Sequence, residues 1–111
     1  LHSDHGLNMP GFYSGFEMEQ FWIEKNTPFL YIILPKKDKK LEKLKINLKN
    51  NENSLVTALD INNTFKSLAG ASSEYFNDEG SSLFYPILNK NERTCGKFRI
   101  KSEDCRCKIK D

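Results

Sequence analysis

Apolar positions along this chain fall into a few dense clusters. The densest is T-P-F-L-Y-I-I-L-P, residues 27–35, where six consecutive apolar residues stand between two prolines. A run this rich in isoleucine and aromatics predicts a strand over residues 29–34. It has no polar face, which suits the middle of a parallel sheet covered by helices. Ahead of it, E-M-E-Q-F-W-I-E-K-N, residues 17–26, predicts a short helix with Phe21 and Trp22 packed inward. Behind it, S-L-V-T-A-L-D-I-N-N-T-F-K-S-L-A, residues 54–69, predicts a helix whose regular part begins near Asp60. There Ile61, Phe65 and Leu68 share a face, and Gly70 is a natural stop. S-L-F-Y-P-I, residues 82–87, reads as a short extended segment.

The polar stretches punctuate this pattern. L-N-M-P-G-F-Y-S-G-F, residues 7–16, reads as a loop. K-K-D-K-K-L-E-K-L-K, residues 36–45, sets six lysines against Asp38 and Glu42. Leu41, Leu44 and Leu48 have helical spacing, yet the segment reads chiefly as an exposed lysine-rich connection, with polyanion contact as its functional alternative. N-N-E-N, residues 50–53, is a polar loop, as are residues 71–81.

Composition narrows the class. The 111 residues suffice for one small domain, and 38% hydrophobic content supports only a modest core. A net charge of +2 gives no argument for nucleic acid. The three cysteines, Cys95, Cys105 and Cys107, all lie near the C-terminal end, in a basic tail, residues 95–111. Their C-x9-C-x-C spacing lacks the pairs that hold zinc, and it suits disulfide bonding outside the cytosol with one cysteine left over. Asn62-Asn63-Thr64 is an N-glycosylation sequon at Asn62. The longest apolar run is far too short for a membrane helix, which needs about 20 residues.

The candidate chemistry sits in S-D-H-G, residues 3–6. A carboxylate and an imidazole, Asp4 and His5, are good ligands for zinc and related divalent ions. Gly6 allows a sharp turn after them. The plain alternative is an Asp that bonds its own backbone in a turn, followed by a surface histidine. His2 would lie on the opposite strand face from His5, and it is expected to pack or be solvated.

The order of these segments resembles the C-terminal part of sulfatases and their relatives in the alkaline phosphatase superfamily. S-D-H-G is followed by the Glu24-containing W-I-E-K-N-T-P-F-L-Y-I-I-L-P, and then by L-V-T-A-L-D-I-N-N-T-F-K-S-L-A-G. Glu24, Pro28, Pro35, Asp60, Thr64 and Gly70 occupy the matching places. G-S-S-L-F-Y-P-I, R-T-C and C-R-C further resemble a sulfatase-like family of animal ectoproteins. The resemblance implies an α/β fold: the C-terminal portion of an alkaline-phosphatase/sulfatase-like sheet with flanking helices, incomplete in this chain. Residues 1–94 would belong to it, with 36–53 a variable connection.

The resemblance further implies that Asp4 and His5 bind one divalent metal, of the zinc or calcium class. Asp4 would offset part of its charge, and His5 would bind it neutral. In the superfamily the nucleophile lies far upstream. Cys95 stands in T-C-G-K rather than in the C-x-P-S-R setting of formylglycine formation, and no further histidine follows His5. The chain is therefore expected to be a fragment, inactive alone, of a hydrolase of small anionic phosphate or sulfate esters. Its partner would be the missing N-terminal part of the same fold, and any membrane attachment would come from that part. Phe12, Tyr13 and Phe16 would line a substrate pocket or simply pack their loop. The alternative is a non-catalytic ectodomain with a binding or structural role, and a third reading is a basic polyanion-binding module. An extracellular or secretory-lumen location is expected. With its sheet incomplete, the isolated chain is expected to be unstable or prone to aggregate.

Overall fold

The computed structural model describes residues 1–6 and 18–106. Its regular elements are helices: α1, Met18–Asn26; α2, Glu42–Asn51; and α3, Ala58–Leu68. Short 3-10 turns stand at Lys39–Leu41, Ser73–Tyr75 and Lys90–Glu92. The expected loop over residues 7–16, with Phe12, Tyr13 and Phe16, lies outside the described residues, as does Cys107.

α1 falls where the sequence pattern puts it. Phe21 is buried, but Trp22 is 40% exposed. Adjacent helical residues point about 100° apart, so only one of the two faces the interior. Trp22 instead meets the Phe21 ring edge-on at 5.3 Å, and the Lys25 ammonium stands 4.7 Å from the Trp22 ring centre.

The α/β expectation does not hold. Among the described residues the only strand-like pairing is an isolated antiparallel bridge between His2 and Leu30. Tyr31 N–H donates to the Leu1 carbonyl at 2.7 Å, and Ser3 N–H donates to the Phe29 carbonyl at 3.1 Å. The run over residues 29–34 is not buried: Tyr31 is 62% and Ile33 87% exposed. A central parallel strand needs a neighbour on each edge and helices over both faces. This segment has one three-residue partner, and an isolated strand pair is marginal at best.

The lysine-rich stretch is also more ordered than a connection. Its second half forms α2, where Leu44 and Leu48 are half-buried while Asn47 and Asn51 are buried. Asn51, in the expected polar loop, closes the helix.

The interior is held largely by polar groups. Among the described residues the buried hydrophobics are Phe21, Leu83 and Ile87, whereas Asn47, Asn51, Asp60, Asn63, Thr64 and Ser82 are buried polar residues. These polar side chains bond the backbone of residues 77–87, which has no strand partner of its own. Asn51 Nδ2 donates to the carbonyls of Leu83 (3.0 Å) and Tyr85 (2.8 Å), and its Oδ1 accepts Ile87 N–H at 3.0 Å. Asn47 Nδ2 donates to the Phe84 carbonyl at 2.8 Å. Asn63 exchanges two bonds of 2.8 Å with the backbone of Asn77. Buried polar groups must be satisfied, and here that requirement stitches an irregular segment to α2 and α3. Gly80 lets the segment come close: a Cβ there would lie 2.6 Å from the Leu59 carbonyl oxygen.

This arrangement turns α3 by about 110° from its expected face and leaves only Ile61 of that face half-buried. Asp60, Asn63 and Thr64 point inward, while Phe65 is 53% and Leu68 71% exposed. Gly70 ends the helix with φ +73°, as its position predicts. The radius of gyration is 16.1 Å, against about 13 Å for a compact domain of this length, so the packing is open.

Candidate functional site

The S-D-H-G stretch is clamped from both sides. Ser3 bonds Phe29 twice: its N–H reaches the Phe29 carbonyl, and its Oγ accepts Phe29 N–H at 3.2 Å. Gly6 N–H donates to the Lys25 carbonyl at the end of α1, 3.2 Å away. Two anchors four residues apart on the partner side thus hold Asp4 and His5 over the α1 terminus. The glycine serves close approach here, since a Cβ at position 6 would overlap the Glu24 carbonyl. The chain bends over residues 4–6, and Gly6 does so without a positive φ.

Between the anchors, Asp4 and His5 face one another. Asp4 Oδ1 accepts the His5 backbone N–H at 3.0 Å. His5 Nε2 stands 3.7 Å from Asp4 Oδ2, with the two side chains 54% and 86% exposed. His5 Nδ1 lies 2.5 Å from the Gly6 carbonyl oxygen. A carbonyl only accepts, so Nδ1 carries the proton. With the proton on Nδ1, Nε2 carries the ring's lone pair, 3.7 Å from a carboxylate oxygen. Two electron-rich atoms set this way make a seat for a cation. One tetrahedral ion about 2.0–2.2 Å from each would hold them roughly 3.3–3.5 Å apart, a little closer than the 3.7 Å observed. A backbone carbonyl on the second ring nitrogen is the usual outer support of a metal-bound histidine. One carboxylate and one imidazole are donor types that a divalent ion of the zinc class takes. They supply two ligands, and among the described residues no group of three or more His, Cys, Asp or Glu side chains gathers around an ion.

An open groove of about 1190 Å³ begins at Asp4. Phe29, Ile32, Lys36, Ile61 and Phe65 are among the residues that line it. His2 packs its ring on Phe65, 5.7 Å between centres, and joins the groove wall rather than the Asp4–His5 pair.

Other expected positions have moved into structural work. Asp60 is fully buried and Arg93 Nη2 lies 2.6 Å from its Oδ2. The same carboxylate accepts the N–H groups of Thr57 (2.7 Å) and Ser81 (2.7 Å). Arg93 Nε also donates to the Leu55 carbonyl at 2.8 Å, and its guanidinium stacks 4.6 Å from the Phe98 ring centre. No single-segment pattern signals this pair. The nearest hint was that Asp60 and the R-T-C arginine each stand in a recognisable motif.

Cys95 is bonded to Cys105, with Cα atoms 6.0 Å apart. Asn26 Nδ2 donates to Asp104 Oδ1 at 3.2 Å and ties the tail to α1. Among the described residues no helix is long and apolar enough to cross a membrane.

The family described as "Protein of unknown function (DUF229)" matches residues 1–111. No curated protein and no solved structure matches the chain.

Proposed function

The chain belongs to the DUF229 family over its whole length, and from that premise we propose that it serves a sulfatase-like hydrolase of phosphate or sulfate esters. In this reading Asp4 and His5 are two ligands of one divalent metal, of the zinc or calcium class. The observation that carries it is the His5 Nε2 lone pair facing Asp4 Oδ2 at 3.7 Å, with Nδ1 held by the Gly6 carbonyl. When bound, the ion would stabilise negative charge on the oxygens of the ester.

This chain's own residues then have simple tasks. Asp4 brings a formal negative charge, which lowers the net charge of the site. His5 coordinates as neutral imidazole in a tautomer chosen by Gly6. Ser3 and Gly6 hold both ligands by backbone bonds on either side. Among the described residues, Cys95 is in a disulfide and the Thr64 hydroxyl is committed within the fold, so neither reads as the attacking group. The nucleophile and remaining ligands would come from outside these residues. The substrate would be a small anionic ester.

A second reading is a non-catalytic ectodomain of the same family. The high exposure of both ligands, and the gathering of only two among the described residues, favour it. The disulfide suits an extracellular or secretory-lumen location in either case.

The deciding experiment measures metal content and hydrolysis of aryl phosphate and aryl sulfate. It uses the protein as animal cells make it, beside Asp4→Ala and His5→Ala forms. Metal and hydrolysis lost together in both variants establish the ligand role. A folded protein that holds no metal and cleaves neither ester leaves the binding or structural reading.

A further inference from the structure

Thr64 closes a sequence that an enzyme would need open. The sequon Asn62-Asn63-Thr64 lies in the middle of α3. Asn62 is exposed on the helix surface. Asn63 is 0% exposed, with both side-chain polar atoms bonded to Asn77. Thr64 is 8% exposed. Its hydroxyl donates to the Asp60 carbonyl at 2.7 Å and accepts Leu83 N–H at 2.9 Å. We propose that Asn62 carries an N-linked glycan attached before α3 folds, and that folding then seals the sequon.

The acceptor asparagine and the hydroxyl two residues on are what define such a site. A transferase that reads the hydroxyl needs it free and the tripeptide extended. Neither condition is met once α3 has formed, because the Thr64 hydroxyl has both its donor and an acceptor position in use. In transfer, the Asn62 amide nitrogen bonds to the anomeric carbon of a lipid-pyrophosphate-linked oligosaccharide. The carbon–oxygen bond to the pyrophosphate breaks, the pyrophosphate leaves with the bonding pair, and the amide loses one proton.

The order of the chain supports this timing. Apart from the Asp60 carbonyl within α3, the groups that close the sequon come later: Asn77 lies 14 residues after Asn63, and Leu83 lies 19 after Thr64. Arg93, which completes the Asp60 network, is 33 residues beyond its partner. A chain made from its N-terminal end therefore presents Asn62 before its latch exists. The Cys95–Cys105 disulfide points to the same oxidising compartment in which glycans are added.

The folded structure also accommodates the product. Asn62 is exposed and lines the groove with Ile61 and Phe65, and Phe65 is 53% exposed. A glycan there would cover apolar surface with a hydrated one and displace no buried group.

The test has two arms. In the first, the chain is expressed through an animal secretory pathway as wild type, Asn62→Gln, Thr64→Ser and Thr64→Ala. Gel mobility is compared before and after peptide-N-glycosidase. The expected result is an enzyme-sensitive shift in wild type and Thr64→Ser that Asn62→Gln and Thr64→Ala both lack. Asn62→Gln is at an exposed position, so it separates loss of the site from loss of the fold. In the second arm, unglycosylated chain is offered to microsomal transferase with donor, either folded and oxidised or reduced and freshly diluted from urea. Modification confined to the unfolded sample is expected. Absence of the shift in cells, or equal modification of the folded chain, overturns the proposal.

Discussion

Arg93 Nη2 lies 2.6 Å from Asp60 Oδ2, with the two side chains 7% and 0% exposed. This pair joins the start of α3 to the R-T-C stretch that leads into the disulfide loop. Asp60 also receives the backbone of Thr57 and Ser81, so one carboxylate organises the helix start, the 77–87 segment and the tail. Removing one partner of such a pair leaves the other buried and uncompensated. Asp60→Ala is expected to cost about 3–5 kcal/mol, read as a lowered urea midpoint. The double variant Asp60→Leu with Arg93→Met should cost clearly less than the sum of Asp60→Leu and Arg93→Met taken singly. Additive losses would show that the pair acts through separate contacts.

Gly6→Ala tests how the candidate metal ligands are placed. The new methyl would collide with the Glu24 carbonyl and push the Asp4–His5 turn off α1. Because Gly6 also holds His5 Nδ1, zinc affinity should drop about 10–100-fold, the usual effect of losing an outer support. Zinc titration followed on the His5 ring signals by NMR checks this. Unchanged affinity would mean the ring is not oriented by Gly6.

The disulfide closes a ten-residue separation. Loop-closure entropy for a ring of that size corresponds to about 3 kcal/mol. Cys95→Ser and Cys105→Ser should each lower stability by an amount of this order in chemical denaturation. Peptide mapping of the oxidised protein should recover a 95–105 cross-link. A predominant link to Cys107 in that map would contradict the pairing.

Ile33 is 87% exposed within an uncharged apolar stretch. A bare edge of this kind templates association between chains, and one charge on it interrupts the process. Ile33→Lys should reduce concentration-dependent light scattering while leaving the thermal midpoint within about 0.5 kcal/mol equivalent, as an exposed substitution normally does. A marked loss of stability would show that Ile33 is packed in solution.

Local chemistry in the sequence by itself determined several parts of this protein. The helix over residues 18–26, the start of α3 close to Asp60 and its end at Gly70 were legible locally, because helical spacing and left-handed φ depend on a few adjacent residues. The Asp4–His5 candidate pair in S-D-H-G was visible as chemistry for the same reason. Only the tertiary structure decided which side of α3 is buried. Apolar spacing chose Ile61, Phe65 and Leu68, but the bonds of Asp60, Asn63 and Thr64 to residues 14–33 positions away chose a face about 110° round the helix. The strand over residues 29–34 failed likewise, since a six-residue apolar run records a preference for burial, while a sheet exists only where flanking strands supply hydrogen bonds. Gly6 shows both levels at once. Its identity in the motif is local, but its reason is the Glu24 carbonyl against which it packs.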